Sequence, residues 1–135
     1  ASRQRRRGRT GVAGVILDAS NRVLLLEHVF WPRLRWGLPG GWAKEGEVPR
    51  EALEREIREE LGLNATAGEE LARSERDEHL SVVFLCDVAQ TRPSRLAFEI
   101  ADARLFSREE MPADLLDLHR EAIEAARNRS CEPMV

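Results

Sequence analysis

The sequence has few of the residues and runs that secreted, membrane-embedded or zinc-binding proteins require. Its two cysteines, Cys86 and Cys131, lie far apart, which fits neither a disulfide framework nor a zinc site. No apolar run approaches the roughly 20 residues that span a bilayer. No apolar segment follows the arginine-rich first residues, as it would in a secretory signal. We therefore expect a reduced, cytoplasmic protein that does not bind a membrane.

Histidines and nucleophile motifs are equally sparse. The three histidines, His28, His79 and His119, are widely separated and do not predict a histidine-based metal site. Each is expected at the surface or at the edge of the core. No motif for a serine or cysteine nucleophile is present. Acidic side chains are the remaining candidates for chemistry.

Length and charge indicate one domain with a basic arm. A chain of 135 residues can bury about two-thirds of its unfolded surface. Five of the 21 basic residues are arginines within residues 1–10, so the rest of the chain carries a net charge of −8. We expect a flexible arm over residues 1–10, a single domain over 11–127 and a tail over 128–135. A solvated arm is the favoured interpretation, and the acidic domain argues against a nucleic-acid partner.

Hydrophobic periodicity predicts alternating strands and helices. The β-rich runs 11–18 and 22–29, joined by a turn at 19–21, predict a hairpin. A helix is expected to begin near Val48-Pro49 and to end at Gly62, with Leu53, Ile57 and Leu61 facing a sheet. The later segments are expected to be strands over 65–76 and 80–89, a short strand pair or a loop and strand within 96–106, a capped turn at 107–110 and a terminal helix over 115–126.

Three acidic residues of the first helix lie on one side of it. At about 100° per residue, Glu56, Glu59 and Glu60 fall within an arc of roughly 100°. Like charges at helical spacing repel each other, so something must offset the cost. A hard divalent cation, Mg²⁺ or Mn²⁺, is the ion that a set of carboxylate oxygens suits. The residues therefore predict a metal site on this helix.

The same helix carries a longer motif. Gly41, Glu47 and the run from Arg55 to Leu63 (Arg-Glu-Ile-Arg-Glu-Glu-Leu-Gly-Leu) occupy every fixed position of a Nudix box. The chain thus resembles the Nudix hydrolase family over most of residues 11–127. Beyond the box, the resemblance includes Trp36-Gly-Leu-Pro-Gly before it, a hairpin further upstream, and Glu99 to Phe106 after it. The resemblance implies an α/β fold, in which a mixed β-sheet is flanked by helices in an α/β/α sandwich.

The resemblance also assigns roles to residues. Glu56, Glu59, Glu60 and the carbonyl of Gly40 would bind the metal, and Gly41, Glu47, Arg55 and Gly62 would support the box, Arg55 through ion pairing. A further acid from a later loop is expected, with Glu99 first, Asp102 second and Glu78 third. The residues do not decide which carboxylate activates water. Glu59 is favoured, and Glu99 is its main rival.

The loop before the box predicts substrate contacts. Arg33 and Arg35 can bind phosphate and Trp31 can stack on a base. Trp36 is expected to be a core anchor, and for Trp42 the core and the site are equally favoured.

The expected activity is Mg²⁺-dependent hydrolysis of a nucleoside diphosphate linked to a group X, such as ADP-ribose, a nucleotide sugar or a nucleoside triphosphate. Two alternatives stay open. One is a nucleotide-binding domain without turnover, and the other, less favoured, is an enzyme that processes RNA ends with its arginine arm. A homodimer is possible.

Overall fold

The computed structural model describes residues 8–29 and 35–130. The strands are β1 (Thr10–Ile16), β2 (Val23–His28), β3 (Trp36–Gly37), β4 (Gly40–Trp42), β5 (Ala65–Arg76), β6 (His79–Val88) and β7 (Ile100–Phe106). The helices are α1 (Pro49–Leu61) and α2 (Asp117–Ser130), with a 3-10 turn at Arg108–Glu110. Of the helices in this described part, none is long and apolar enough to cross a membrane.

Two sheets form the centre of the fold. The first has the order β4-β1-β6-β5, in which β1 and β6 run parallel and the other pairs antiparallel. The second has the order β3-β2-β7 and is antiparallel. Successive side chains of a strand point to opposite faces of the sheet. The buried side chains of the first sheet therefore need cover on both faces.

Each face of the first sheet packs against a different helix. Val12 and Val82 share one buried cluster with Leu53 and Ile57 of α1. The neighbouring strand residues, such as Ala13, share the other cluster with the α2 side chains. The helices therefore lie on opposite faces, which confirms the expected α/β/α sandwich around a mixed sheet.

The predicted hairpin between the first two strands is wrong. β1 and β2 belong to different sheets, and a single bridge between Leu17 and Val23 joins them. The turn itself is present, since the Asp18 carboxylate accepts the backbone N–H of Arg22 at 2.8 Å. The physical reason is burial: both strands are almost continuously buried, and each needs partners and cover on both sides.

The first helix has the expected limits. Pro49 occupies its first turn, and Gly62 ends it with a φ of 67° and an N–H bond to the Arg58 carbonyl. Its predicted apolar stripe is fully buried. The helix therefore has one buried side, which leaves its acidic residues to face elsewhere.

The C-terminal half differs slightly from expectation. Residues 96–99 are a loop that leads into β7, and the capped turn at Ser107 is confirmed. The terminal helix begins at Asp117 and continues to Ser130, so residues 128–130 are helical and not part of a tail. Arg127, almost fully buried, donates to the carbonyls of Phe106 at 2.9 Å and Asn21 at 3.0 Å. These bonds hold α2 against β7 and the turn before β2.

Candidate metal and nucleotide site

A cavity of about 530 Å³ opens beside the β3–β4 turn, between the two helices. Three carboxylates in its wall come from different elements: Glu56 and Glu60 from α1, and Glu99 from the loop before β7. Two imidazoles, those of His28 and His119, also line it. Most of the remaining wall is apolar, so the cavity combines an acidic part with an apolar part.

The Gly40-Gly41 pair brings β4 close to the acids of α1. The Gly40 N–H donates to Glu60 Oε1 at 3.1 Å. A Cβ at Gly40 would collide with the Val12 carbonyl oxygen, and a Cβ at Gly41 would lie 2.5 Å from Glu56 Cδ. Gly40 therefore lets β4 lie close to β1, and Gly41 lets it lie directly against the Glu56 carboxylate.

Glu60 is buried, and burial disfavours the charged form of its carboxylate. Its exposed fraction is 7%. Burial raises the pKa of Glu60 to about 8; the Gly40 N–H opposes the rise, and the charges of Glu56, Glu99 and Glu59 add to it. Burial also raises the pKa of Glu56, against the lowering effect of Arg55. Arg55 thus offsets part of the charge at Glu56, whereas Glu60 has only the Gly40 N–H to oppose its raised pKa.

Arg55 organises the other acids of the box. Its Nε and Nη2 donate to the two oxygens of Glu47 at 2.9 and 3.0 Å. Its Nη1 donates to Glu56 Oε2 at 3.1 Å and to Glu59 Oε1 at 3.2 Å. This bidentate bond to Arg55, followed by the Lys44 N–H, lowers the pKa of Glu47 to about 2. The ion pairing that the resemblance implied for Arg55 is thus present.

Glu59 stands apart from the other predicted metal ligands. Its side chain is 54% exposed, and it does not line the cavity. Within residues 8–29 and 35–130, no three acidic, histidine or cysteine side chains are arranged as a metal-ligand group. The structure therefore brings Glu56, Glu60 and Glu99 to one cavity, while Arg55 holds Glu59 outside it.

The donor set fits a hard divalent cation. Every acidic ligand candidate offers oxygen, and the box helix offers no sulfur or imidazole. A cation would offset the cost of ionising Glu60, because burial and the neighbouring carboxylates disfavour its charged form and no cationic side chain contacts it among the described residues. Glu56, Glu60 and the Gly40 carbonyl are the groups that would hold the ion, and Glu59 could join by leaving Arg55.

The structure distinguishes among the three candidates for an acid from a later loop. Glu99 lines the cavity, and its carbonyl accepts the Val29 N–H at 3.0 Å. Asp102 is paired with Arg104 at 2.8 Å and does not line it. Glu78 lies in the β5–β6 turn, also outside the wall.

Of the predicted substrate-binding residues, the structure describes only Arg35. Trp31 and Arg33 lie outside the described residues. Arg35 is exposed, its Nη1 lies 3.4 Å from Glu27 Oε2, and it does not line the cavity. Trp36 packs edge-on against Phe106, with ring centroids 4.9 Å apart, as expected for a core anchor.

Two histidines of the wall, His28 and His119, were not predicted as site residues, and Trp42, for which the core and the site were equally favoured, also lines the cavity. His119 Nδ1 accepts the Leu38 N–H at 3.3 Å. Burial, and then the nearby His28, lower the pKa of His119 to about 4. Only the packing of α2 over Leu38 brings these histidines together, so the sequence carries no signal for them. For Trp42 a signal existed, namely its position directly after Gly41.

Comparison with known proteins supports the geometry. The family model for the NUDIX domain matches residues 7–126. The chain is 32% identical over 77 residues to an 8-oxo-dGTP diphosphatase of Proteus vulgaris, covering 53% of this chain and 69% of that protein. It is 42% identical over 76 residues to a CTP pyrophosphohydrolase of Escherichia coli, covering 55% of this chain and 56% of that protein.

A solved structure agrees with these matches. The MutT NUDIX hydrolase of Burkholderia pseudomallei superposes with a TM-score of 0.75 at 26% identity, covering 88% of this chain and 98% of that one. The residues that the family model matches include every strand, α1 and most of α2, and three box residues, Gly41, Glu56 and Glu60, line the cavity. The chain therefore belongs to the NUDIX family, whose members are hydrolases that act on acid anhydrides.

Proposed function

We propose that the chain hydrolyses the pyrophosphate bond of a nucleoside diphosphate linked to a group X, with Mg²⁺ or Mn²⁺ as its cofactor. The single observation that carries the proposal is the buried Glu60 carboxylate, which lies beside Glu56 in the wall of a cavity of about 530 Å³. A site built of carboxylates can accept an anionic substrate only together with a cation. Nucleoside triphosphates, ADP-ribose and nucleotide sugars are the candidate substrates.

The residues of the chain divide the work between binding and proton transfer. When bound, the divalent ion neutralises phosphate charge and lowers the pKa of a water molecule. Glu56 and Glu60 would hold the ion, with the Gly40 carbonyl as a further ligand. Arg55 keeps one oxygen of Glu56 in a fixed position through the bond of 3.1 Å. The apolar part of the cavity excludes water and accommodates the uncharged nucleoside.

Two carboxylates are candidates for the group that accepts the proton of the attacking water. Glu59 is the first, and it reaches the site by leaving Arg55. Glu99 is the second, and it already lines the cavity. We expect Glu59→Gln to lower kcat by at least about 100-fold, since a general base contributes 10²–10⁴-fold, and to leave the fold intact.

Glu51→Gln is the matched control, because Glu51 is an exposed acid in the first turn of the same helix. Initial rates with Mg²⁺ and product masses are measured for Glu59→Gln, Glu99→Gln and Glu51→Gln. Near-parental turnover by Glu59→Gln, with a large loss in Glu99→Gln, would transfer the role of base to Glu99.

A substrate panel tests the activity itself. The protein is incubated with Mg²⁺ and a nucleoside triphosphate, ADP-ribose or a nucleotide sugar, and the products are identified by mass. Release of a nucleoside monophosphate supports hydrolysis of the pyrophosphate bond. Tight nucleotide binding without any product would instead assign the chain to the non-catalytic binding domains.

A further inference from the structure

A guanidinium group lies on an aromatic ring at the rim of the cavity. Arg9 Cζ is 3.9 Å from the centroid of the Trp42 ring. Trp42 lines the cavity and remains 43% exposed. An arginine this close to an aromatic face is restrained by it, while N–H groups that do not face the ring stay available.

Two other arginines in the described part of the chain cover aromatic rings, and they differ from Arg9. Arg104 lies over Trp36 at 5.3 Å and is ion-paired with Asp102 at 2.8 Å. Arg50 lies over Phe84 at 4.9 Å, and its Nε donates to the Gly68 carbonyl at 2.8 Å. The Arg9 side chain makes no hydrogen bond or ion pair with any described residue. Its five N–H donors are therefore available to a ligand.

The position of Arg9 does not depend on its side chain. Its backbone N–H donates to His79 Nδ1 at 3.0 Å, and its carbonyl accepts the Leu80 N–H at 3.0 Å. The carbonyl of Trp42 accepts from Arg55 Nη2 at 3.3 Å. Both members of the pair are thus held in place, and Trp42 is linked to the arginine that organises the acids.

The charge of the cavity calls for such a group. Its wall contains three carboxylates and, among the described residues, no arginine or lysine. A pyrophosphate substrate carries negative charge that a divalent ion offsets only in part. Trp42 lines this cavity, and Arg9 lies over its ring. Arg9 therefore supplies positive charge at the rim that Trp42 forms.

We propose that Arg9 binds a phosphate oxygen of the substrate, and that Trp42 is the positioning residue that holds the guanidinium plane at the rim. The proposal rests on the proposed function, because it names a further contact for the same substrate. Arg9 adds affinity for the anionic part of the substrate and takes no part in proton transfer.

Kinetics of three variants test the proposal. Arg9→Ala should raise KM on the order of tenfold, as expected for the loss of a hydrogen bond to a charged group, with kcat nearly unchanged. Arg9→Lys should fall between Arg9→Ala and the parent, because lysine keeps the charge and loses the planar fork. Trp42→Leu should raise KM by a similar factor, and the double variant should add little more.

Arg104→Ala is the matched control, since Arg104 also covers a tryptophan but has an acidic partner and lies outside the cavity wall. Its KM should equal that of the parent. Arg9→Ala leaves both backbone bonds of residue 9 in place, so it is expected to fold. Parental KM in Arg9→Ala, or a loss in kcat alone, overturns the proposal.

A binding measurement separates this proposal from the proposed function. Titration with α,β-methylene-ADP in Mg²⁺, followed by tryptophan fluorescence, reports binding without hydrolysis. Arg9→Ala should weaken the affinity for this analogue about tenfold and leave that for adenosine unchanged. Equal affinity of parent and variant for the analogue refutes the Arg9 contact even if the parent is an active hydrolase. A tenfold loss supports the contact even if no substrate is turned over.

Discussion

At the scale of single residues, the absence of a side chain at Gly41 determines where Glu56 can lie. A Cβ at residue 41 would lie 2.5 Å from Glu56 Cδ, which is too close for both to keep their positions. Alanine at this position must therefore displace either the strand or the acid. Glu56 is the part that can move, because it is the end of a flexible side chain.

Gly41→Ala is therefore expected to lower Mg²⁺-dependent turnover by about tenfold or more, since displacement of one catalytic group by about an ångström can cost that much. The measurement is kcat/KM against Mg²⁺ concentration. Gly68→Ala is the control, because a Cβ there would make an ordinary contact at 3.4 Å with the Leu85 carbonyl. Parental activity in Gly41→Ala would show that Glu56 need not lie against β4.

The sequence identifies most of the acidic residues of the site but not the directions in which their side chains point. Helical spacing alone places Glu56 and Glu60 near each other, and both line the cavity. The same spacing includes Glu59, which Arg55 draws away at 3.2 Å. Periodicity describes directions around a helix axis, whereas an ion pair depends on side-chain torsion angles that no pattern records.

At the scale of elements, α1 follows its local signals closely. Proline at its start and glycine at its end correspond to the dihedral angles found there. The predicted hairpin between β1 and β2 is wrong because strand propensity does not say which strand is the partner. The almost unbroken apolar runs of β1 and β2 were the available warning, since such runs are typical of strands covered on both faces.

The C-terminal stop of α1 gives a prediction about stability. Gly62 has a φ of 67°, and a Cβ there would also collide with the Ser94 hydroxyl. Gly62→Ala should lower the free energy of unfolding by more than about 1 kcal/mol, because alanine is strained in this conformation. Urea denaturation followed by circular dichroism measures it. Gly46→Ala is the control: Gly46 has a φ of 80° but open space around its Cβ, so it separates strain from collision.

At the scale of the whole molecule, the packing of α2 over the β3–β4 turn gives His119 an effect on stability that depends on pH. The folded protein resists protonation of His119, whose pKa is about 4 against an ordinary value of 6.5. Below pH 6.5 the unfolded chain therefore binds more protons at this residue than the folded one, so its contribution to stability falls as the pH falls toward 4. Glu60, whose pKa is raised to about 8, acts in the opposite direction over the same range.

Because the two groups oppose each other, the informative quantity is the difference between a variant and the parent protein. His119→Leu should gain on the order of 2 kcal/mol relative to the parent between pH 7 and pH 5. Urea denaturation of both proteins at both pH values measures this. An equal stability difference at pH 7 and pH 5 would contradict the assigned environment of His119.

The place of β1 within the first sheet has a consequence for synthesis on the ribosome. β1 lies between β4 and β6, and its parallel partner begins about 70 positions later, with Thr10 opposite Leu80. Until residue 88 has left the exit tunnel, the opening strand has an edge without its neighbour. The nascent polypeptide must therefore keep an apolar segment from aggregating until β6 has emerged, and chaperone dependence should be greatest during that interval.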